Sequence, residues 1–439
     1  MYPYCRYIRA LDLRDLDKLF EDLYFHDAVE EEFYSGELGG ILGARRSGRG
    51  AAKTPDVINA IGEGLMTKET PMLETLSGHV LPGFLVRWVQ RLPRLESLEL
   101  WQGAALTEGV EGVIHDNCPQ FKKLSLYTWN QDDADEQLAI FLRGLRQQSL
   151  ESLEIISTSR FGPASCIALN GHHLSLTELH LRSLEADSLA SLMALKDCTA
   201  LRSIDLEDRW NTLDLRKTPT LNELFHFLVS WLKSCKHLES VKLNRFISGA
   251  AIMTPVLMDD TIYLRTLEIS WYITESEQED RDLFLALGQQ RELRCLNLKS
   301  FTETGKTMRK PLVEGLAKLT ALQDLSLLGV SDCLIDRDLK HIARHLPNLE
   351  EIYTSGHGFT DAIWEDIGRL SKLRSLSFAT TTRFRLEGLL KYISMLGPGN
   401  AKLYLAIQNA DTAYLLQDHE KDLVRDTLFA KVQGRFFIA

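Results

Sequence analysis

Eleven times between Leu95 and Phe378 the chain repeats one six-residue pattern. An apolar residue is followed after two positions by a second, and after one more by a third, a place that Thr354 takes in one copy. The copies are LESLEL from Leu95, FKKLSL from Phe121, LESLEI from Leu150, LTELHL from Leu176, LRSIDL from Leu201, LESVKL from Leu238, LRTLEI from Leu264, LRCLNL from Leu293, LQDLSL from Leu322, LEEIYT from Leu349 and LRSLSF from Leu373. Most begin 24 to 29 residues apart, and weaker copies sit at Ile8, at Leu73 and around Leu403. The alternation closing each copy is that of a strand, whose successive side chains point to opposite faces. The interval leaves room for a turn, a helix and a return loop. A unit this small buries its apolar face only against a neighbour, so the pattern commits the chain to a stacked array.

Pattern and spacing are those of a leucine-rich repeat. The expected fold is α/β, a single curved leucine-rich-repeat solenoid over 1–439, with parallel strands on the concave face and helices on the convex face. Irregular N-terminal repeats occupy 1–72 and carry a basic, glycine-rich loop at 43–54. The repeat core runs over 73–405 with an insertion at 207–220, where Leu201 and Leu238 stand 37 residues apart. A C-terminal helical cap fills 406–439, its apolar tail covering the last repeat. Ile8 and Leu73 are 65 residues apart, room for two further repeats plus a loop. Ile8, Leu11 and Leu13 are nonetheless expected to pair directly with the next strand. Either the segment 15–29 folds over the edge this strand presents, or the natural protein starts further upstream.

The connecting stretches carry helical spacing. In LKHIARHL, Leu339, Ile342, Ala343 and Leu346 form one apolar face. Thr218 and Pro219 read as the N-cap and first turn of a helix reaching Cys235, and Thr54-Pro55-Asp56 starts another through about Met66. Cys118, Cys198 and Cys235 each stand three residues before a first apolar position, where Leu92, Leu319, Leu346 and Leu370 stand elsewhere. That exchange marks a buried helix-to-strand packing position and not a reactive thiol.

Composition closes off several classes of function. With 50 Lys and Arg against 61 Asp and Glu, a net charge of -11 and a pI near 5.6, the chain is not built for nucleic acid or an anionic membrane. Seven scattered Cys with no C-x-x-C argue against a disulfide framework and for a reducing compartment, cytoplasmic or nuclear. The start lacks a secretory signal, and no apolar run approaches a membrane span.

Catalytic and metal motifs fit poorly. The loop Gly43–Thr54 ends Lys53-Thr54, but a phosphate loop needs glycine before the lysine and Ala52 stands there. His172-His173 lies near Cys166 without a zinc spacing, and a surface turn accounts for it. Asp132, Asp133, Asp135 and Glu136 resemble a calcium loop only in charge, and a helix N-terminus suits them better. No arrangement suggests a nucleophile, so no catalytic, cofactor or metal residues are assigned.

A surface remains. The residues between the last two apolar positions of successive repeats form one outward column: Glu99, Ser125, Glu154, His180, Asp205, Lys242, Glu268, Asn297, Ser326, Tyr353 and Ser377. The next outward positions give Trp101, Tyr127, Ile156, Arg182, Glu207, Asn244, Ser270 and Lys299, with Trp129, Arg245, Trp271 and Tyr272 just beyond. Trp, Tyr and Arg are the residues that dominate interface energetics. Trp101, Tyr127, Trp129, Arg182, Arg245 and Trp271 are expected to capture a protein target. Asp205, Glu207 and Asp208 select its charge, and Tyr272, Lys299 and Tyr353 complete the concave-face set.

The N-terminal YPYCRYIRALDLRDLDKLFEDLYFHDAVEEEF, the Cys/Leu-x-x-Leu-x-x-Leu-x-Leu repeats and NCPQFKKLSL resemble fungal F-box and leucine-rich-repeat proteins, of the cysteine-containing, ribonuclease-inhibitor-like superfamily. The resemblance implies a substrate receptor of a cullin-based (SCF) ubiquitin ligase, whose F-box grips the adaptor Skp1 while the repeats present the target. No Leu-Pro-rich F-box segment precedes Ile8, so Skp1 and cullin are implied as partners only if an F-box is supplied upstream. The expected function is thus a non-enzymatic protein-protein interaction module, monomeric or part of a complex and without cofactor. The alternative is an F-box-independent scaffold or inhibitor acting by steric blockade.

Overall fold

Every repeat sends its strand back alongside the previous one, and a crossover helix makes that return parallel. The computed structural model describes residues 6–21, 54–66, 70–302 and 305–438, in two compact units, Met1–Leu201 and Arg202–Ala439. The loop 43–53, Cys5 and most of the segment 15–29 lie outside the described residues.

In the first unit β1 (Ala10–Asp12), β2 (Thr75–Gly78), β3 (Ser97–Gln102), β4 (Lys123–Thr128), β5 (Ser152–Ile155) and β6 (Glu178–Leu184) lie side by side in chain order, all parallel. Leu76, Leu98, Leu124, Leu153 and Leu179 fall in one cross-strand line and are fully buried. β1 pairs directly with β2, Leu11 opposite Leu76, so the two strands are neighbours despite the long interval between them.

The second unit continues the pattern with β7 (Ser203–Asp208), β8 (Ser240–Asn244), β9 (Thr266–Tyr272), β10 (Cys295–Ser300), β11 (Asp324–Leu328), β12 (Glu351–Thr354), β13 (Ser375–Thr382), β14 (Tyr404–Ala410) and β15 (Arg435–Ile438), again parallel and in order. β15 was not expected. The apolar tail does not merely cover the last repeat; it follows the helix Asp418–Val432 and pairs with β14 as a further strand. Each unit is an α/β leucine-rich-repeat solenoid.

The helices form where spacing and caps place them. Thr218 caps Pro219–Ser234, its hydroxyl accepting from the Leu221 amide, with Pro219 in the first turn. The helix Thr54–Met66 starts at the expected residue. Leu339, Ile342 and Ala343 are buried on one face of Asp336–His345. Asp133 and Asp135 stand at the start of Ala134–Gly144, and Asp135 also serves the next repeat. Its carboxylate accepts from the amides of Gly162, Ala164 and Ser165, the exposed donors at the start of Pro163–Leu169.

The helix-to-strand position is buried where cysteine holds it. The Cys118 thiol lies 3.5 and 3.3 Å from the carbonyls of Val89 and Leu92, and burial pushes it up to about 12. Cys235 faces the Trp231 carbonyl at 3.3 Å and is likewise pushed up to about 12 by burial. The same offset also holds two amides that the pattern concealed. Gln290 donates to the carbonyls of Leu257 and Ile262 and accepts from the Leu264 amide, at 2.9 to 3.2 Å. Asn400 donates to the carbonyls of Leu370 and Leu373, both at 2.9 Å.

His172 corrects the surface-turn assignment. It is buried, with Nε2 3.0 Å from the Leu142 carbonyl and Nδ1 accepting from the Leu150 amide. Both ring nitrogens are occupied by backbone, and burial holds the imidazole below its ordinary value.

Candidate strand-face binding surface

Alternation leaves every second strand residue on the face that the helices do not cover. In the first unit Ser77, Glu99, Ser125, Glu154 and His180 stand opposite one another across β2 to β6. In the second, Asp205, Lys242, Glu268, Asn297, Ser326, Tyr353 and Ser377 do so across β7 to β13. The outward column read from the pattern is thus the register of the sheets. Most of it is half-buried, while Ser77, Asp205 and Ser377 are buried.

Within the first unit the column is knit by hydrogen bonds between repeats. The Ser77 hydroxyl donates to Glu99 at 2.9 Å and the Ser125 hydroxyl to Glu154 at 3.0 Å. Beyond it stand Trp101 and Tyr127, both exposed, their rings 4.3 Å apart and 5° from parallel. Trp129, expected beside them, is only 3% exposed. Its backbone pairs with Ser159, and its indole covers Gly103, where an added Cβ would fall 2.1 Å from the ring. Arg182 is half-buried at the corresponding place on β6.

The second unit gathers a different group. Trp271 is exposed and lies 5.0 Å from the exposed ring of Phe301. Tyr272, expected outward, is 1% exposed. The reason is a backbone irregularity. Lys299 pairs with Ser270 but Ser300 pairs with Tyr272, so Trp271 is an extra residue, held at φ +61°. A bulge resets the alternation, turning Tyr272 inward and projecting Trp271. Arg245, the residue directly after β8 and in line with Trp271, also has φ +61°, is exposed, and is followed by buried Phe246.

The insertion serves this group. With its nitrogen turned toward them, the Asn211 amide donates to the carbonyls of Arg245 and Trp271, clamping both left-handed residues. Neighbouring Trp210 is 64% exposed, and the Arg209 guanidinium lies 4.7 Å over its ring. Arg245 donates to the Arg209 carbonyl at 3.2 Å and stands 3.6 Å from Glu207. Deeper in the insertion Asp214 and Arg216 pair at 2.9 Å, and Arg216 reaches Glu279 at 3.2 Å. Burial alone would raise the Asp214 carboxyl, but the bonds and charge of Arg216 outweigh it and hold the group low.

The acidic set is smaller than expected. Asp205 and Asp208 are buried. Asp205 accepts from the Asn244 amide at 3.2 Å. Burial pushes the Asp208 carboxyl up, partly offset by the amides of Trp210, Leu213, Thr212 and Asn211 that it caps. Neither opens to solvent on the strand face; Glu207 is half-buried beside Arg245. Lys299 and Tyr353 are half-buried on their strands. Trp210 and Phe301 were missed: one lies in the insertion, the other past the end of β10, outside the repeating pattern.

Among the described residues no helix is long and apolar enough to cross a membrane. No protein-family model and no curated protein sequence matches the chain. The chain is similar to yeast Rad7 in its complex with Elc1 at 14% identity and a TM-score of 0.45, over 92% of this chain and 95% of that one. It is similar to the internalin InlF of Listeria monocytogenes at 15% identity and a TM-score of 0.43, over 85% and 88%. It is also similar to TLR13, from a complex with ssRNA13, at 15% identity and a TM-score of 0.40, over 79% and 50%.

Proposed function

We propose that the chain is a non-enzymatic protein-binding module whose strand faces carry the binding residues. The observation that carries this reading is the exposed, nearly parallel stack of Trp101 on Tyr127. Two large rings held against each other in solvent form a rigid apolar anchor of the kind that dominates interfaces. Trp210, Trp271 and Phe301, with Arg245, supply a second anchor in the other unit. The partner is taken to be protein and not nucleic acid, on the excess of Asp and Glu over Lys and Arg.

The finer reading is the substrate-recognition part of an SCF-type ubiquitin ligase receptor, and it rests on the resemblance of the N-terminal segment and repeats to F-box proteins. The alternative is an F-box-independent scaffold or inhibitor acting by steric blockade. Both are tested with the full chain carrying Trp101→Ala and Trp271→Ala, with Leu285→Ser on a helix as control. Loss of a cross-linked partner in the double variant only, with circular dichroism unchanged, is the expected result. An unaltered partner set overturns the assignment. Skp1 and cullin recovered with the wild-type chain favour the ligase reading, and a partner recovered without them favours the scaffold.

A further inference from the structure

The strand face of the first unit holds a depression lined by Glu99, Trp101, Ser125, Tyr127, Glu154 and Ile156, with Arg14 at its margin. Its floor is Glu99, Ser125 and Glu154, directly opposite one another on β3, β4 and β5. Two carboxylates therefore flank one serine, each a strand spacing of ~4.8 Å away. Both carboxylates stay open to solvent, the Glu99 side chain being 40% exposed and that of Glu154 29%. Glu99 accepts from the Ser77 hydroxyl at 2.9 Å and lies 3.5 Å from Arg14. Arg14 is already engaged with both oxygens of Asp12, at 2.7 to 3.0 Å. Glu154 accepts from the neutral Ser125 hydroxyl at 3.0 Å, and the imidazole of His180 is 4.0 Å away. Asp12 and Glu99 thus share the Arg14 guanidinium, while Glu154 faces a hydroxyl and an imidazole, around a depression walled by two rings and Ile156.

Carboxylates with aromatic and aliphatic walls match a long basic side chain. The charged head pairs with oxygen while the methylenes lie on rings. A guanidinium fits better than an ammonium, because it is planar, stacks on aromatic faces and donates in a fork to carboxylates. We propose that this depression receives an arginine side chain of a protein partner. The proposal rests on the strand face being a protein-binding surface and names the partner's chemistry there.

The test uses the full chain and three probes, N-acetyl-argininamide, N-acetyl-lysinamide and N-acetyl-citrullinamide, the last being the uncharged shape of the first. Binding is read from tryptophan fluorescence, with Trp101→Phe as reference, and from saturation-transfer NMR. The arginine probe is expected to saturate in about the millimolar range. Binding should weaken about tenfold in Glu154→Gln and further in Glu99→Gln/Glu154→Gln, since each removed charge loses a charge-assisted bond. Lysine binding more weakly and citrulline not binding complete the expected result. No saturable binding of the arginine probe, equal binding of citrulline, or no response to the Glu→Gln changes overturns the proposal. A partner that is lost in Trp101→Ala/Trp271→Ala but fully retained in Glu99→Gln/Glu154→Gln removes the arginine inference alone. A partner retained in both variants removes the binding-face reading itself.

Discussion

Gln290 shows what a single polar side chain does inside a repeat. It occupies an offset where other repeats have Leu or Cys, yet its amide satisfies two carbonyls and one backbone N–H. Gln290→Leu would match the majority pattern and still strand those groups in the interior. The expected cost is about 1–3 kcal/mol for each group left unsatisfied, read as a lower urea midpoint; an unchanged midpoint would refute the account. His172 performs a similar service by way of a titratable ring. Burial lowers its folded-state pKa below the ordinary 6.5. The unfolded chain therefore takes the proton first, and the stability His172 contributes is complete above pH 6.5 and falls away below it. Between pH 7.5 and 5 the wild-type thermal midpoint is expected to fall, and His172→Gln to flatten that fall. Identical slopes would show that another group carries it.

Two elements decide which side chains reach the surface. The left-handed residues Arg245, directly after β8, and Trp271, within β9, stand at the same point of consecutive repeats, and Asn211 from the insertion, with its amide nitrogen turned toward them, donates to both carbonyls. What reads as an interruption of the repeat is therefore a brace for the exposed aromatic group. At the other end of the unit, β15 covers the edge of β14 and buries Phe436. Removing residues 434–439 would leave the β14 edge unpaired, a template for association. Size-exclusion chromatography of that truncation is expected to show oligomers or aggregate together with a reduced thermal midpoint. A monomer of wild-type stability would mean that β15 is dispensable.

In the whole molecule, stability should behave as a sum over neighbouring repeats. Gly315 offers a clean place to test this, because a Cβ there would sit 2.4 Å from the Phe284 carbonyl oxygen, which cannot move aside without disturbing its helix. Gly315→Ala is expected to cost about 1–3 kcal/mol through overpacking. Amide exchange should quicken across β9 to β11 and stay as in the wild type across β3 to β5. Uniform acceleration through both units would point to a single cooperative block.

The fold was written in the sequence because a repeat states the same instruction many times. Leu98, Leu124 and Leu153 need only the period of a strand to be placed inside, and Glu99, Ser125 and Glu154 need only the next position to be placed outside. The stack of Trp101 on Tyr127 follows from that periodicity together with register. Trp129, Tyr272, Asp205 and Asp208 escaped it. A bulge residue at positive φ reverses the parity that sequence assumes, a glycine one repeat away opens the space an indole fills, and a carboxylate turns inward to serve amides it cannot be seen to face. Those outcomes depend on contacts between residues distant in the chain. Periodicity determined the array and its open face; only the tertiary structure decided which aromatic and acidic side chains that face presents.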